Sequence, residues 1–190
     1  MISKELVQEK FREIQESICS ALSTESGQEF REDQWDYESG DGRGITRIFT
    51  GDVIEKGGVN YSALSGNLSE KIASKLKGGN ARDFYAVGVS LVIHPQNPFV
   101  PTVHMNIRYL ERGEKQWFGG GIDLTPCYIV KSDIITFHKK LKSVCDKHHP
   151  AYYSEFKRKC DEYFFIKHRN EARGVGGIFF DYLSDDLEKT

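Results

Sequence analysis

Phe84-Tyr-Ala-Val-Gly-Val-Ser-Leu-Val-Ile-His94 and Thr102-Val-His-Met-Asn-Ile-Arg-Tyr-Leu110 decide how this chain folds. Both segments alternate with a period of two, as strands do when successive side chains point to opposite faces. In the first, Tyr85, Val87, Val89, Leu91 and Ile93 share one side, and Ala86, Gly88, Ser90, Val92 and His94 share the other. In the second, Val103, Met105, Ile107 and Tyr109 form an apolar face opposite Thr102, His104, Asn106 and Arg108. A loop with Pro95, Pro98 and Pro101 joins them, so neighbouring strands present Ser90, His94, His104, Asn106 and Arg108 on one surface floored by Ala86 and Gly88. A plain solvent-facing sheet surface is the alternative. Such surfaces more often carry Thr, Lys and Glu, and small residues beside His, Asn and Arg leave room for a ligand.

Outward toward the C-terminus comes Gln116-Trp-Phe-Gly-Gly-Gly-Ile-Asp-Leu-Thr-Pro126. Its three glycines permit close backbone approach, and Asp123 follows at a strand end, as a turn residue or as a chemical group. It is no dinucleotide fingerprint, because the G-x-G-x-x-G spacing and a βαβ context are missing. Residues 132–148 read as a helix capped by Ser132 or Asp133, burying Ile134, Phe137, Leu141 and Val144 or Cys145, with His138 on that face as a core histidine. A second helix starts at Pro150 and runs to about His168. Its end releases Lys167-His168-Arg169 and Glu171-Ala172-Arg173. Glycines at 174, 176 and 177 and an apolar strand, Ile178-Phe179-Phe180, then deliver Asp181. That arrangement is either an anion-handling site or an ordinary basic helix terminus with a glycine stop.

Outward toward the N-terminus, residues 3–23 place Val7, Phe11, Ile14, Ile18 and Leu22 at helical spacing. Residues 24–40 read as polar and irregular, anchored by Trp35 and Tyr37. A strand near Ile45–Phe49 turns at Gly51-Asp52 into a partner near Val53–Lys56, followed by a strand and turn in Val59-Asn-Tyr-Ser-Ala-Leu-Ser-Gly66. Leu68–Leu76, introduced by Asn67, reads as a short helix stopped at Gly78-Gly79.

The 190 residues fit one domain, 1–190, with no repeat or linker between 40 and 181. A formal net charge of −2 gives no basic field for nucleic acid, and no apolar run is long enough to span a bilayer. The N-terminal stretch is amphipathic but bears glutamates, unlike a secretory or transit leader, so a cytoplasmic protein is expected. Cys19, Cys127, Cys145 and Cys160 show no C-x-x-C pairing and read as reduced packing residues, Cys160 as core rather than nucleophile.

Three stretches carry a resemblance. VSLVIHPQNPFVPTVHMNIRY (89–109) is similar, nearly position for position, to a pattern of the oxygen-dependent coproporphyrinogen III oxidases. The same holds for WFGGGIDLTP (117–126) and for the run from Lys157 through His168-Arg169, Glu171, Arg173-Gly174 and Gly176-Gly177 to Phe179-Phe180-Asp181. EKGGVNYSALSG (55–66) resembles a fourth family segment, with Gly57 replacing the commoner alanine; Lys159 stands where the family usually has tryptophan.

The resemblance implies an α+β fold, a large antiparallel sheet with helices packed on both faces, and a homodimer. It implies conversion of two propionates of coproporphyrinogen III to vinyls, with molecular oxygen as co-substrate and no organic cofactor. His104 and Asp181 are the candidate catalytic residues, Asp181 serving pyrrole N–H groups. Ser90, Asn106, Arg108, Arg169 and Arg173 are the candidate substrate-binding residues, the arginines as partners of propionate carboxylates. His94, His104, His138 and His168 form the candidate metal set, although no metal is required by their spacing. Family members continue well past Phe-Phe-Asp, which raises two further readings: a catalytically silent tetrapyrrole-binding or subunit-interaction protein, and an exposed strand edge at Ile178–Phe180.

Overall fold

A computed structural model describes residues 3–74 and 81–184. The chain opens with α1 (Lys4–Ser26), followed by β1 (Arg31–Asp36), β2 (Asp41–Phe49) and β3 (Ile54–Asn67). A short α2 (Glu70–Ala73) precedes β4 (Asp83–Pro95), β5 (Thr102–Arg112) and β6 (Lys115–Thr125). Then come α3 (Lys131–Asp146), α4 (Tyr152–Tyr163), the two-residue strands β7 (Phe165–Ile166) and β8 (Glu171–Ala172), and β9 (Gly176–Leu183). The main sheet has seven strands in the order β1-β2-β3-β4-β5-β6-β9, antiparallel at every pairing. Six of the seven follow one another in sequence, joined by short turns except between β3 and β4, where α2 intervenes. The architecture is the expected α+β arrangement built on one large antiparallel sheet.

The apolar face of the sheet forms the core. Val59, Tyr61, Val87, Val89 and Tyr109 are buried there, and α1 lies across β3 and β4 with Val7, Phe11 and Cys19 inward. Burying each large apolar side chain contributes roughly 1.5–3 kcal/mol. Gln15 also points into this seam, 2 % exposed, where its Nε2 donates to the carbonyls of Ile45 (2.8 Å) and Val59 (3.0 Å). The helix starts at Ser3, whose Oγ accepts from Leu6 N–H, and stops at Gly27 in the left-handed region (φ 67°).

α4 packs against β9 rather than on the middle of the sheet. Phe156 stacks on Phe180 at 5.2 Å and Tyr163 stacks on Phe179 at 4.4 Å. Consecutive strand residues face opposite ways, so the helix grips both sides of the strand. α3 packs on α4 in turn.

Several local expectations need correction. Residues 24–40 are not irregular: α1 continues to Ser26 and Arg31–Asp36 is an edge strand. All six of its residues are exposed, which explains why no apolar alternation marks it. The partner of β2 is one long strand from Ile54 to Asn67, not a short strand followed by a second strand and turn. α3 is preceded by Val130 without a side-chain cap, while Ser132 Oγ donates to the neighbouring Asp133 carboxylate instead. Its only fully buried residue is Cys145, and Val144 is 53 % exposed. α4 ends at Tyr163, and His168 sits in the turn of the β7–β8 hairpin. The expected helix over 68–76 is seen as Glu70–Ala73; its remainder from 75 onward and the Gly78-Gly79 stop lie outside the described residues.

Candidate functional site

The sheet register sets the site out in rows on the face opposite α1. Trp35, Gly44, Ser62, Gly88, Arg108 and Gly119 form one row across six strands. Thr46, Asn60, Ser90, Asn106, Gly121 and Phe179 form the next. Val92, His104, Asp123 and Gly177 form a third. Ser90 and Asn106 are direct partners, as are His104 and Asp123, so the polar face expected for β4 and β5 exists and extends over the whole sheet.

Arg108 points over Gly119, and its Nη2 lies 3.1 Å from an oxygen of Asp181. Glycine at 119 lets this pair lie close over the backbone, since a Cβ there would stand 2.6 Å from Asp181 Oδ1 and 3.0 Å from Arg108 Nε and push the two side chains aside. Asp181 reaches this row through a bulge. Phe118 pairs with Leu183 while Gly120 pairs with Phe180, which leaves Asp181 and Tyr182 opposite the single residue Gly119. Tyr182 takes a left-handed φ of 59°, and Asp181 Oδ1 accepts from its N–H at 3.0 Å. Bulges of this kind re-aim side chains, and here the bulge faces the carboxylate toward Arg108.

Asp123 is 1 % exposed and lies within β6, not at a turn. Arg173, on the segment between β8 and β9, spans it with Nη2 contacts of 2.9 and 2.8 Å and an Nε contact of 3.2 Å. Phe164 lies against that guanidinium, 3.8 Å from its ring centre. The carboxylate that Arg173 holds here is therefore the protein's own. His104 Nδ1 sits 3.8 Å from Asp123 Oδ1, too far for a hydrogen bond, and is buried without a partner among the described residues. Burial lowers the His104 pKa from its ordinary value, against the opposing pull of Asp123 and with help from Arg173 and His94. Around these groups lies a cavity of about 240 Å³ lined by His104, Asn106, Arg108, Asp123, Tyr163 and Phe179, among others. A second trough of about 470 Å³ adjoins it, sharing Asn106 and Arg108 and running over Ser90, Gly88, Ser62 and Asn60 to Trp35.

The remaining candidates are more scattered. Arg169 is exposed and pairs with Glu171 at 3.3 Å. His94 stands edge-on to His104, ring centres 6.3 Å apart, and its Nδ1 is 3.4 Å from Thr102 Oγ1. His138 is engaged at both ring nitrogens, Nε2 by the Val175 carbonyl (3.0 Å) and Nδ1 by the Tyr153 hydroxyl (3.1 Å). Among the described residues, no three metal-ligating side chains converge, so His94 and His104 come together while His138 and His168 do not join them. Cys160 is fully buried, and burial, then Asp123 nearby, pushes its thiol up to about 11, the behaviour of a packing cysteine. Trp35, Thr46, Asn60, Ser62 and Phe164 were not anticipated as site residues. In the sequence Trp35 stood out only as an anchor of a polar segment, and Asn60 and Ser62 only as part of the stretch 55–66.

The family profile described as coproporphyrinogen III oxidase matches residues 6–190. An oxygen-dependent coproporphyrinogen-III oxidase of Dictyostelium discoideum is 44 % identical over 99 % of this chain and 64 % of its own length. One of Drosophila melanogaster is 52 % identical over 89 % of the chain and 47 % of itself. A mitochondrial one of Mus musculus is 47 % identical over 90 % of the chain and 42 % of itself. The chain thus spans about half the length of the curated relatives it matches. With a profile match along nearly all of its residues, the chain belongs to the coproporphyrinogen III oxidase family.

Proposed function

We propose that this chain carries the catalytic sheet face of an oxygen-dependent coproporphyrinogen III oxidase, which converts two propionates of the substrate to vinyls. The observation that carries the reading is Arg108, which lines both cavities and pairs with Asp181 over Gly119. A guanidinium has five N–H donors in a fixed fork. Among the described residues Asp181 is the acid paired with Arg108, so further donors face the cavity for a propionate carboxylate. Asp181 accepts from pyrrole N–H groups and steadies positive charge that develops on the macrocycle. His104, held neutral by burial, moves the proton at its imidazole. Each propionate loses carbon dioxide and two hydrogens, and dioxygen accepts those hydrogens. The electron-rich tetrapyrrole is itself the reductant, so this reaction calls on no flavin or haem. Ser90 and Asn106 hydrogen-bond the substrate beside Arg108, and Arg173 lines the smaller cavity while it holds Asp123.

A homodimer and a reducing compartment belong to the same reading. The four cysteines are unpaired, in keeping with the cytoplasm, and no helix among the described residues is long and apolar enough to cross a membrane. Sedimentation and cell fractionation against a mitochondrial marker test these two points. The activity is tested by mixing the chain with coproporphyrinogen III under nitrogen, admitting air, and following oxygen uptake with protoporphyrinogen formation, with and without a chelator. Tetrapyrrole binding without oxygen uptake overturns the enzyme in favour of a binding protein. Loss of turnover with chelator adds a metal to the site.

A further inference from the structure

The larger of the two cavities has a wall that the reaction above leaves without a role. Trp35 stands at its far side on β1, 37 % exposed, opposite Gly44. The indole lies flat against the sheet because Gly44 has no side chain: a Cβ there would fall on the ring carbons of Trp35. Its Nε1 donates to Thr46 Oγ1 at 3.2 Å, which fixes the orientation of the ring. Between this wall and Arg108 the row contains only Ser62 and Gly88. Three strand spacings of about 4.8 Å separate Gly44 from Arg108, a flat floor roughly 14 Å wide.

Size and chemistry agree on what such a floor receives. Pockets for organic ligands occupy roughly 300–1,000 Å³. The cavity at His104 and Asp123, about 240 Å³, falls short of that range, while the trough, about 470 Å³, lies within it. An aromatic wall above small residues suits a flat conjugated or pyrrolic face, and a guanidinium at the opposite end suits a carboxylate. We propose that the trough walled by Trp35 holds the macrocycle of the substrate, with Trp35 as a substrate-positioning residue, while the smaller cavity receives only the propionate undergoing reaction. The assignment rests on the tetrapyrrole reading of the site. The competing role for an exposed tryptophan on an edge strand is to shield that edge, which predicts a loss of stability and not of binding.

The test uses the whole chain with coproporphyrin III, the oxidised and stable form of the substrate, titrated by its visible absorbance. Turnover of coproporphyrinogen III and thermal melting are measured in parallel. Trp35→Ala weakens coproporphyrin binding about two- to tenfold, the range expected for losing one aromatic stacking partner, and raises KM more than it lowers kcat. Trp35→Phe, which keeps a flat ring, restores most of the affinity. Gly44→Ala, which keeps Trp35 but displaces its ring, reproduces the Trp35→Ala defect and carries the test if that variant fails to fold. Wild-type affinity and KM in Trp35→Ala and Gly44→Ala overturn the trough while leaving the proposed reaction standing. A wild-type chain that binds no tetrapyrrole overturns both.

Discussion

Arg173 and Asp123, fifty positions apart in the chain, form the most buried ion pair of the site, with the guanidinium bound to both carboxylate oxygens and stacked beneath Phe164. The acid is 2 % exposed at its side chain and the base 34 %, so the acid depends on the base for its solvation. Removing the base strands a charge in a place water reaches poorly. Arg173→Ala should therefore destabilise the chain by about 3 kcal/mol, the low end for breaking a buried pair because Arg173 is itself partly wet. Asp123→Asn in the same chain should recover most of that loss. Urea denaturation of both variants measures it, and a stability equal to wild type for Arg173→Ala would show that the pair holds nothing together.

Arg108 behaves differently because both it and Asp181 are about one-third exposed. Arg108→Ala should leave the melting temperature almost unchanged, since solvent screens what remains. Its effect should fall on the substrate, with KM for coproporphyrinogen III rising about tenfold or more through loss of a charge-assisted carboxylate contact. A collapse in melting temperature with unaltered KM would make Arg108 structural.

Val89 is fully buried on the face that α1 covers, between Tyr61 and Ile107. Val89→Asp places an unpaired carboxylate there and removes roughly 1.5–3 kcal/mol of burial. Against a typical stability of about 5–15 kcal/mol, the variant should lose its cooperative melting transition. An unaltered melting curve would mean that the two faces of β4 are reversed.

The pH dependence at His104 follows from a pKa lowered by burial. The unfolded chain binds the proton more readily than the folded one, so stability rises with pH in the window between the two values. The His104 contribution is complete above the unfolded value of about 6.5 and is lost as pH falls through the lower folded value. His104→Gln should flatten the fall in melting temperature on going from neutral to acid pH. Parallel curves for the two proteins would remove His104 as the titrating group.

Thiol chemistry separates the four cysteines. Cys127 is exposed, whereas Cys19, Cys145 and Cys160 are buried with pKa values raised by that burial. At pH 8 Ellman's reagent should therefore titrate one thiol quickly and the other three only after unfolding. Cys127→Ser should remove the fast phase; a fast phase that survives would place another cysteine at the surface.

What could be read from the sequence was whatever is encoded locally. The alternation of residues 84–94 and 102–110 fixed two strands and both of their faces, since side-chain direction in a strand depends only on position parity. The spacing of Val7, Phe11, Ile14, Ile18 and Leu22 marked α1 in the same way. Where one face is not buried the signal vanishes: β1, exposed at every residue, passed for loop, and β7 passed for the end of α4 while β8 passed for a charged cluster beyond it. Ser90, Asn106 and Arg108 were legible because they lie on neighbouring, patterned strands.

Long-range contacts were decided by the tertiary structure alone. Register brought Trp35 into the row of Arg108 across four strand pairings, although 73 residues separate them in the chain. The bulge at Asp181–Tyr182 turned one carboxylate toward Arg108, and burial bound the other, Asp123, to Arg173. Gln15, an unremarkable position on an amphipathic helix, became a buried donor only because two strand carbonyls happened to face it. Backbone preference acts over a few residues, whereas a partner for a buried charge or an orphan carbonyl is chosen by whichever group the packing delivers within about 3 Å.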